Sequence, residues 1–190
     1  MLPDRAIPPP AKPARRVNAK KPIIQVLPSP LNRCQAWVTV GSRRFRAALG
    51  RSGIVASKRE GDGATPTGTF DLVAVYYRAD RGHPPVTALP RLQIQADHGW
   101  CDDLASANYN RPIRLPSAAG HERLFRSDQL YDIVIVLDHN LKPRKRGGGS
   151  AIFMHVARPG YLPTEGCIAL SAADLRQLLK LAGRGSHIKI

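Results

Sequence analysis

The chain has 190 residues, of which 43% are hydrophobic, so it can build one domain with a hydrophobic core. No apolar run approaches the roughly 20 residues that a membrane-spanning helix needs. The formal net charge of +15 favours polyanionic surroundings, namely nucleic acid, anionic lipid or acidic cell-wall polymer, and composition does not choose among them.

Residues 1–22 are predicted to be a disordered basic tail. Their six prolines and few apolar side chains argue against regular structure. Six Lys and Arg against one Asp give this segment +5 of the net charge. Arg15 and Arg16 are not followed by the apolar stretch of a twin-arginine export signal, and we find no secretory signal in the chain. Residues 23–190 are predicted to form the folded domain.

Most of the domain has β-strand patterns. A first strand is predicted at residues 23–27, followed by a hairpin about Gly41 and Ser42. Residues 130–137 (LYDIVIVL) are apolar enough to be buried on both faces of a sheet. The remaining strands are predicted at residues 35–40, 43–49, 69–77, 91–96, 150–156 and 186–190.

One helix is predicted, at residues 171–182. Ser171 is a suitable N-cap, and Leu175, Leu178 and Leu179 follow helical spacing. Many strands and one helix predict a mainly β fold, with the helix packed behind the strand that precedes it.

Two loops carry polar groups whose role the sequence leaves open. Residues 97–112 contain Trp100 and Tyr109, which either contact a peptide in a groove or are buried in a loop held by Asx turns. The basic, glycine-rich residues 142–149 lack a phosphate-binding pattern, and a mobile loop is the simplest interpretation.

The chemistry of the chain is concentrated around His155 and Cys167. In a strand at residues 150–156, Ile152, Met154 and Val156 take one face, and His155 takes the other. After the loop, Ile168 and Leu170 share a face, and Cys167 lies on the opposite one. If the two strands are neighbours, the imidazole and the thiol lie on the same side.

A cysteine nucleophile needs this geometry. A free thiol has a pKa of about 8.5, so it is mostly protonated at neutral pH, and a nearby His can take the proton. Gly166 allows a sharp turn before Cys167, whose backbone amides can bind an oxyanion. The alternative is that both residues are simply buried core groups, which is common for Cys.

Two motifs give the chain a family resemblance. His155 followed by Thr164-Glu165-Gly166-Cys167-Ile168 resembles the signature of YkuD-type L,D-transpeptidases, a His and then Ser/Thr-x-Gly-Cys-Ile/Val. Upstream, residues 62–70 (DGATPTGTF) resemble the Thr-Pro-Thr-Gly-x-Phe segment of the same family. Both occur in the family's order, and the resemblance covers about residues 22–190.

The chain departs from many family members at three points near the nucleophile. Val156 stands where many have Gly or Ser, so a backbone carbonyl is expected to orient the imidazole. Ala169 stands where many have Arg. The His-to-Cys spacing, 167 − 155 = 12, is shorter than in many relatives. These differences bear on the expected substrate site. Both His155 and Cys167 are retained.

The resemblance implies a YkuD-like β-sandwich or barrel and a cysteine L,D-transpeptidase acting on peptidoglycan. Cys167 would attack the carbonyl of the third stem residue, release the terminal D-alanine, and pass the acyl group to an amine, forming a 3–3 cross-link or attaching a protein. His155 would be the base. The backbone amides of Glu165, Gly166 and Cys167 would hold the oxyanion. The segment ending at Phe70 is expected to be scaffold.

The implied partners are peptidoglycan stem peptides, with no nucleic acid, no membrane span, no cofactor and no metal, and the chain is expected to be a monomer. The substrate places the protein in the periplasm or cell envelope. Two alternatives stay open, namely a hydrolase with the same residues (an L,D-carboxypeptidase or amidase) and a non-catalytic basic binding module.

Overall fold

The computed structural model describes residues 23–190, so the predicted tail at residues 1–22 lies outside the described residues. The helix α1 is Ala172–Leu181, begun by Ser171, whose hydroxyl accepts the N–H of Asp174. The strands, in chain order, are β1 Ile23–Pro28, β2 Gln35–Val40, β3 Arg43–Ala48, β4 Ile54–Val55, β5 Thr65–Pro66, β6 Thr69–Tyr77, β7 Arg91–Gln93, β8 His98–Cys101, β9 Arg111–Arg114, β10 His121–Arg123, β11 Ile133–Leu137, β12 Phe153–Val156, β13 Ile168–Leu170 and β14 His187–Lys189.

Eight of these strands close into a barrel. The order β11-β12-β13-β3-β2-β1-β14-β6 returns to its start because β6 also pairs with β11. The pairs β1–β14 and β12–β13 are parallel, and the other six are antiparallel. β7 adds a short parallel strand beside β6. The structure therefore confirms the predicted mainly β, barrel-like fold with one helix.

The barrel strands share one apolar face, which forms the main core. Alternate residues such as Ile24 in β1, Val38 in β2 and Ile188 in β14 are fully buried there. The helix α1 adds Leu175, Leu178 and Leu179 to the same cluster, the three leucines that the helical spacing predicted to be buried.

A second core lies on the outer face of β6, β11 and β12. There Val134, Val136 and Phe153 pack with Trp100 and Leu124. Trp100 lies in β8 of the small sheet β10-β8-β9, and Leu124 directly follows β10. Because both faces of β11 are covered, all five of its residues are buried, as the apolar run predicted. The small sheet and the barrel wall are the two surfaces between which the functional site lies.

The structure corrects the prediction of a loop at residues 97–112. This segment contributes β8 and β9 to the small sheet, and β10 completes it. Trp100 is 3% exposed and Tyr109 is 1% exposed, so the interpretation of these aromatics as groove contacts is wrong. Short strands with polar residues and Pro112 in β9 lack the apolar alternation by which a strand is predicted.

The basic loop at residues 142–149 is tied down by hydrogen bonds, contrary to the interpretation of a mobile loop. The Arg144 guanidinium donates to the carbonyl oxygens of Tyr109 (2.6 Å) and Ala107 (3.0 Å). Arg146 donates to the carbonyl oxygen of Leu104 at 3.0 Å. Two of the loop's cations thus hold the segment between β8 and β9 against the barrel.

Truncation of Leu178 tests the contribution of α1. Leu178 is fully buried, so Leu178→Ala should lower the free energy of unfolding by about 2–5 kcal/mol in urea unfolding. Leu181, which ends the same helix and is 45% exposed, is the matched control. Leu181→Ala should change stability by less than about 1 kcal/mol. Equal losses in the two variants would contradict the packing described for the helix.

Candidate active site

The parallel pair β12–β13 brings His155 and Cys167 to the same side of the barrel wall. His155 pairs with Ala169 and Met154 pairs with Ile168, so Cys167 precedes the first paired residue of β13 by one position. His155, Cys167 and Ala169 all line one cavity of about 380 Å³. The placement of imidazole and thiol on one side, expected from the alternation of both strands, is present in the structure.

The resting thiol is hydrogen-bonded to the backbone. It donates to the carbonyl oxygen of Ala151 at 3.2 Å and accepts the N–H of Phe153 at 3.4 Å. Within residues 23–190, the structure has no hydrogen bond between Cys167 and His155. The two side chains are diagonal neighbours on the sheet, so the thiol must turn away from Ala151 to reach the imidazole.

The imidazole of His155 is oriented by the backbone, as expected from Val156. Its Nδ1 lies 2.9 Å from the carbonyl oxygen of Val156, which fixes the proton on Nδ1 when the ring is neutral. Nε2 is then the free proton acceptor, and the residue lines the cavity. Tyr131 holds the ring from the other side, with ring centroids 5.4 Å apart and an interplanar angle of 69°.

Burial keeps the side chains of both His155 and Cys167 uncharged at neutral pH. Burial lowers the pKa of His155 to about 4, because an imidazolium is poorly solvated there. Burial also raises the pKa of Cys167 to about 12 by disfavouring the thiolate. At pH 7 the pair is therefore a thiol and a neutral imidazole.

Asn110 positions the backbone to which the Cys167 thiol is hydrogen-bonded. This residue is 1% exposed, and its Oδ1 accepts the N–H of Ala151 (3.1 Å) and the indole N–H of Trp100 (2.9 Å). Its amide group donates to the carbonyl oxygens of His139 and Asn140. Asn110 thus fixes the peptide unit next to the Ala151 carbonyl, which accepts the hydrogen bond from the Cys167 thiol. No sequence pattern indicated this role.

The turn before Cys167 is closed by Thr164. Its hydroxyl donates to the carbonyl oxygen of Cys167 at 2.7 Å and accepts the N–H of Gly166 at 3.1 Å. Its backbone is held by Leu49 and Arg51, with hydrogen bonds of 2.9 Å on each side. The Thr of the sequence signature therefore has a structural role in shaping the nucleophile turn.

The two sequence motifs meet at Gly166. This residue has φ +134°, and a Cβ placed on it would lie 2.7 Å from the carbonyl oxygen of Ala64. Ala64 and Thr65 are fully buried, and the Thr65 hydroxyl accepts the N–H of Gly50 at 2.9 Å. The upstream segment therefore buttresses the nucleophile turn, in agreement with its expected role as scaffold.

One of the three backbone amides expected to hold an oxyanion is already hydrogen-bonded. The N–H of Gly166 donates to Thr164, so that amide is already engaged. The amides of Glu165 and Cys167 have no hydrogen-bond partner in the part of the chain that the structure describes. The Glu165 carboxylate lies 3.2 Å from Arg51, at the surface.

Sequence reasoning missed several other residues of the cavity. Glu122 in β10, Asp102 after β8 and Tyr131 before β11 line it together with the reactive pair. Neither carboxylate belongs to a motif, and only the pairing of the small sheet brings them to the site. Among residues 23–190, no group of three or more His, Cys, Asp or Glu side chains is arranged to hold a metal ion, and no helix is long and apolar enough to cross a bilayer.

Comparison with known proteins assigns the fold to a family. A model of the L,D-transpeptidase catalytic domain named YkuD matches residues 31–190. The chain belongs to the YkuD family. No curated protein sequence matches the chain.

One solved structure similar to this YkuD domain is an L,D-transpeptidase from Mycobacterium smegmatis. The two share 15% sequence identity with a TM-score of 0.41, over 88% of this chain and 58% of that one. The chain thus spans less than two thirds of the length of that structure.

The buried imidazole of this YkuD domain should make its stability depend on pH. The pKa of His155 is 6.5 for an unperturbed His and about 4 in the fold, so between these values the unfolded chain binds more protons. Stability should fall by up to about 3 kcal/mol as the pH is lowered from 6.5 to 4, and this group should have no effect above pH 6.5. Urea unfolding of the wild type and of His155→Gln at pH 7 and pH 4 measures the difference.

A matched control for this pH effect is His83, which is exposed. His83→Gln should keep the pH dependence of the wild type, and His155→Gln should lose the part assigned to the buried ring. The same pH dependence in His155→Gln and in the wild type would refute the assignment.

Proposed function

We propose that the chain is a cysteine L,D-transpeptidase that acts on peptidoglycan. The observation that carries the proposal is the cavity in which Cys167 and His155 lie side by side, each projecting from neighbouring strands of a YkuD domain. A nucleophile and a base within one cavity provide what acyl transfer through a covalent intermediate requires.

In the acylation step, the thiol of Cys167 turns from the Ala151 carbonyl toward Nε2 of His155. His155 accepts the thiol proton as sulfur attacks the carbonyl carbon of the third stem residue. The tetrahedral intermediate then expels the amine of the terminal D-alanine, which takes the proton from His155. The products are a thioester on Cys167 and free D-alanine.

In the transfer step, an amine from a neighbouring stem or from a protein attacks the thioester. As the C–N bond forms, His155 takes a proton from the attacking amine, and as the C–S bond breaks it passes that proton to the sulfur of Cys167. The result is a 3–3 cross-link or an attached protein. The amides of Glu165 and Cys167, which have no hydrogen-bond partner among residues 23–190, would stabilise the oxyanion in both steps, with Gly166 shaping the turn.

Peptidoglycan as the substrate fits the charge of the chain. A net charge of +15 attracts the protein to acidic wall polymer, and the substrate requires action in the periplasm or cell envelope. Fractionation of cells that produce the native protein is the direct test of this location. Recovery of the protein solely from the cytosol would contradict it.

The function is tested by incubating the wild-type chain with a tetrapeptide stem ending in D-alanine, with and without an amine acceptor. Release of D-alanine together with a cross-linked product that requires the acceptor supports transpeptidation. Release of D-alanine with only free tripeptide would identify the hydrolase. Absence of both, with binding to polyanions that weakens steeply in salt, would identify the binding module.

A further inference from the structure

The segment that forms β1, β2 and β3 contributes charge of only one sign. Residues 23–59, which include these strands, contain seven Lys and Arg and no Asp or Glu. Arg43, Arg44 and Arg46 belong to β3, and all three are exposed. A surface with several cations and no carboxylate of its own attracts anionic groups, so its charge is complementary to a polyanion.

Exposed side chains form a row across these three strands. Leu27 in β1 pairs with Trp37 in β2, and Trp37 pairs with Arg46 in β3. The adjacent residues Val38 and Phe45 are buried in the main core, so the row faces outward. Trp37 is 38% exposed, although Trp is a residue type that is highly buried on average. An apolar, aromatic surface of this kind is available for contact with a partner.

Aromatic rings hold two of the arginines on this face. The guanidinium of Arg44 lies 4.0 Å from the centroid of the Trp37 ring, and that of Arg46 lies 4.6 Å from the centroid of Tyr161. In the part of the chain that the structure describes, neither arginine forms an ion pair. Stacking orients the two planar groups and leaves their N–H donors for an anion from outside.

Tyr161 joins the row to the edge of the cavity. It belongs to the loop between β12 and β13, and the next residue, Leu162, lines the cavity together with Cys167. The φ of Tyr161 is +58°, a left-handed conformation that is uncommon for a bulky residue. Conformations of this kind persist only where the surrounding structure holds them, and they cluster at functional sites. The row therefore extends from β1 to the active site.

We propose that Leu27, Trp37, Arg44, Arg46 and Tyr161, here called the arginine–aromatic row, bind the peptidoglycan polymer outside the cavity. The proposal rests on the proposed transpeptidase function and names the surface that receives the polymer next to the reacting stem. Each stem that ends in D-alanine has a terminal carboxylate, so a polymer with many stems presents repeated anions. The two guanidinium groups pair with such carboxylates, and the exposed apolar side chains contact the apolar parts of the polymer.

The position of the row favours peptidoglycan over another polyanion. A polymer with one stem in the cavity must continue over the neighbouring surface of the protein. The row provides cations and exposed rings on that surface, and it meets the cavity at Tyr161 and Leu162. A nucleic acid could pair with the same arginines, but nothing in its chemistry would require it to lie beside a nucleophile.

Pelleting with intact peptidoglycan sacculi tests the surface. The Cys167→Ala form is the background, so that the polymer stays unaltered during the measurement. Adding Arg44→Gln and Arg46→Gln should weaken binding about 10-fold at low ionic strength, and less at high ionic strength. The matched control, Lys180→Gln with Arg184→Gln, removes the same two charges from exposed positions on and after α1 and should weaken binding less than about twofold.

A second measurement uses the enzyme with its cysteine intact. Arg44→Gln with Arg46→Gln should lower the ratio of D-alanine release from sacculi to release from a soluble tetrapeptide by about 10-fold. The tetrapeptide fills the cavity and is too short to reach across the strands, so the ratio reports the polymer contact. The control pair of substitutions should leave the ratio within about twofold of the wild type.

The outcomes separate this proposal from the function on which it rests. Equal weakening in the two double variants, or wild-type binding of sacculi by the Arg44 and Arg46 variant, would overturn the assigned surface. Loss of affinity for duplex DNA with unchanged binding of sacculi would show that the occupant is a nucleic acid and would overturn it as well. Absence of D-alanine release by the wild type from either substrate would refute the transpeptidase function, whereas the pelleting result does not depend on turnover.

Discussion

A carbapenem is expected to form a covalent adduct with the wild-type chain and none with Cys167→Ala. Carbapenems acylate the nucleophile of this family, and the Cys167 thiol is the nucleophile in the proposed mechanism. With the thiol removed, D-alanine release from a tetrapeptide should fall by at least about 10³-fold. Intact-protein mass spectrometry measures the adduct, and the same preparations serve for the release assay.

A second cysteine provides the control for that experiment. Cys34 is a partly exposed free thiol that donates a hydrogen bond to the carbonyl oxygen of Arg51 and does not line the cavity. Cys34→Ala should keep both the adduct and the rate of the wild type. An adduct on Cys167→Ala, or undiminished release by it, would show that the acylated group is elsewhere and would remove the basis of the mechanism.

Replacement of Gly166 by alanine should be nearly as damaging. The new Cβ would lie 2.7 Å from the backbone oxygen of Ala64, and φ +134° is a conformation that residues with a side chain rarely adopt. The turn must shift to relieve the clash, and Cys167 shifts with it. We expect a loss of roughly 10²-fold in acylation, since a displacement of about 1 Å at a reacting group has this effect.

A Gly160→Ala variant is the control that distinguishes steric crowding from backbone strain as the cause of the Gly166 effect. This residue lies in the same loop with φ +77°, and a Cβ on it would meet no atom within 4 Å. Gly160→Ala should lose about 1 kcal/mol of stability from the left-handed backbone, with the acylation rate close to that of the wild type. Similar acylation rates for the two variants would contradict the assigned contact with Ala64.

The parts of the fold that depend on local pattern were predictable from the sequence. Residues 69–77 are rich in β-branched and aromatic side chains, and the strand has those limits. The helix follows its N-cap Ser171 and its leucine spacing closely. Other strands are shorter than predicted, since residues 150–152 run outside β12 although Ser150 and Ile152 are buried. Hydrophobicity marks burial, and burial extends beyond the residues that pair.

Only part of the site was predictable from the sequence. His155 and Cys167 occur in a motif on strands with clear alternation, so their common face follows from a period of two. Glu122 and Asp102 reach the cavity through the pairing of β8 with β10, which joins residues 99–101 to 121–123 without a local signal. Asn110 acts through buried hydrogen bonds across the chain, and contacts of this kind depend on the tertiary fold.

The strand β14 protects the barrel from edge-to-edge association with other molecules. Its three residues pair with β1 on one side and β6 on the other, and they are the link that completes the ring of strands. Each strand of the ring is paired on both sides, so the ring itself offers no row of unpaired N–H and C=O groups for a neighbouring molecule to extend. Detachment of this one short segment would uncover two such rows at once. Cleavage or fraying there would expose the protein to edge-to-edge aggregation even while most of its core remained packed.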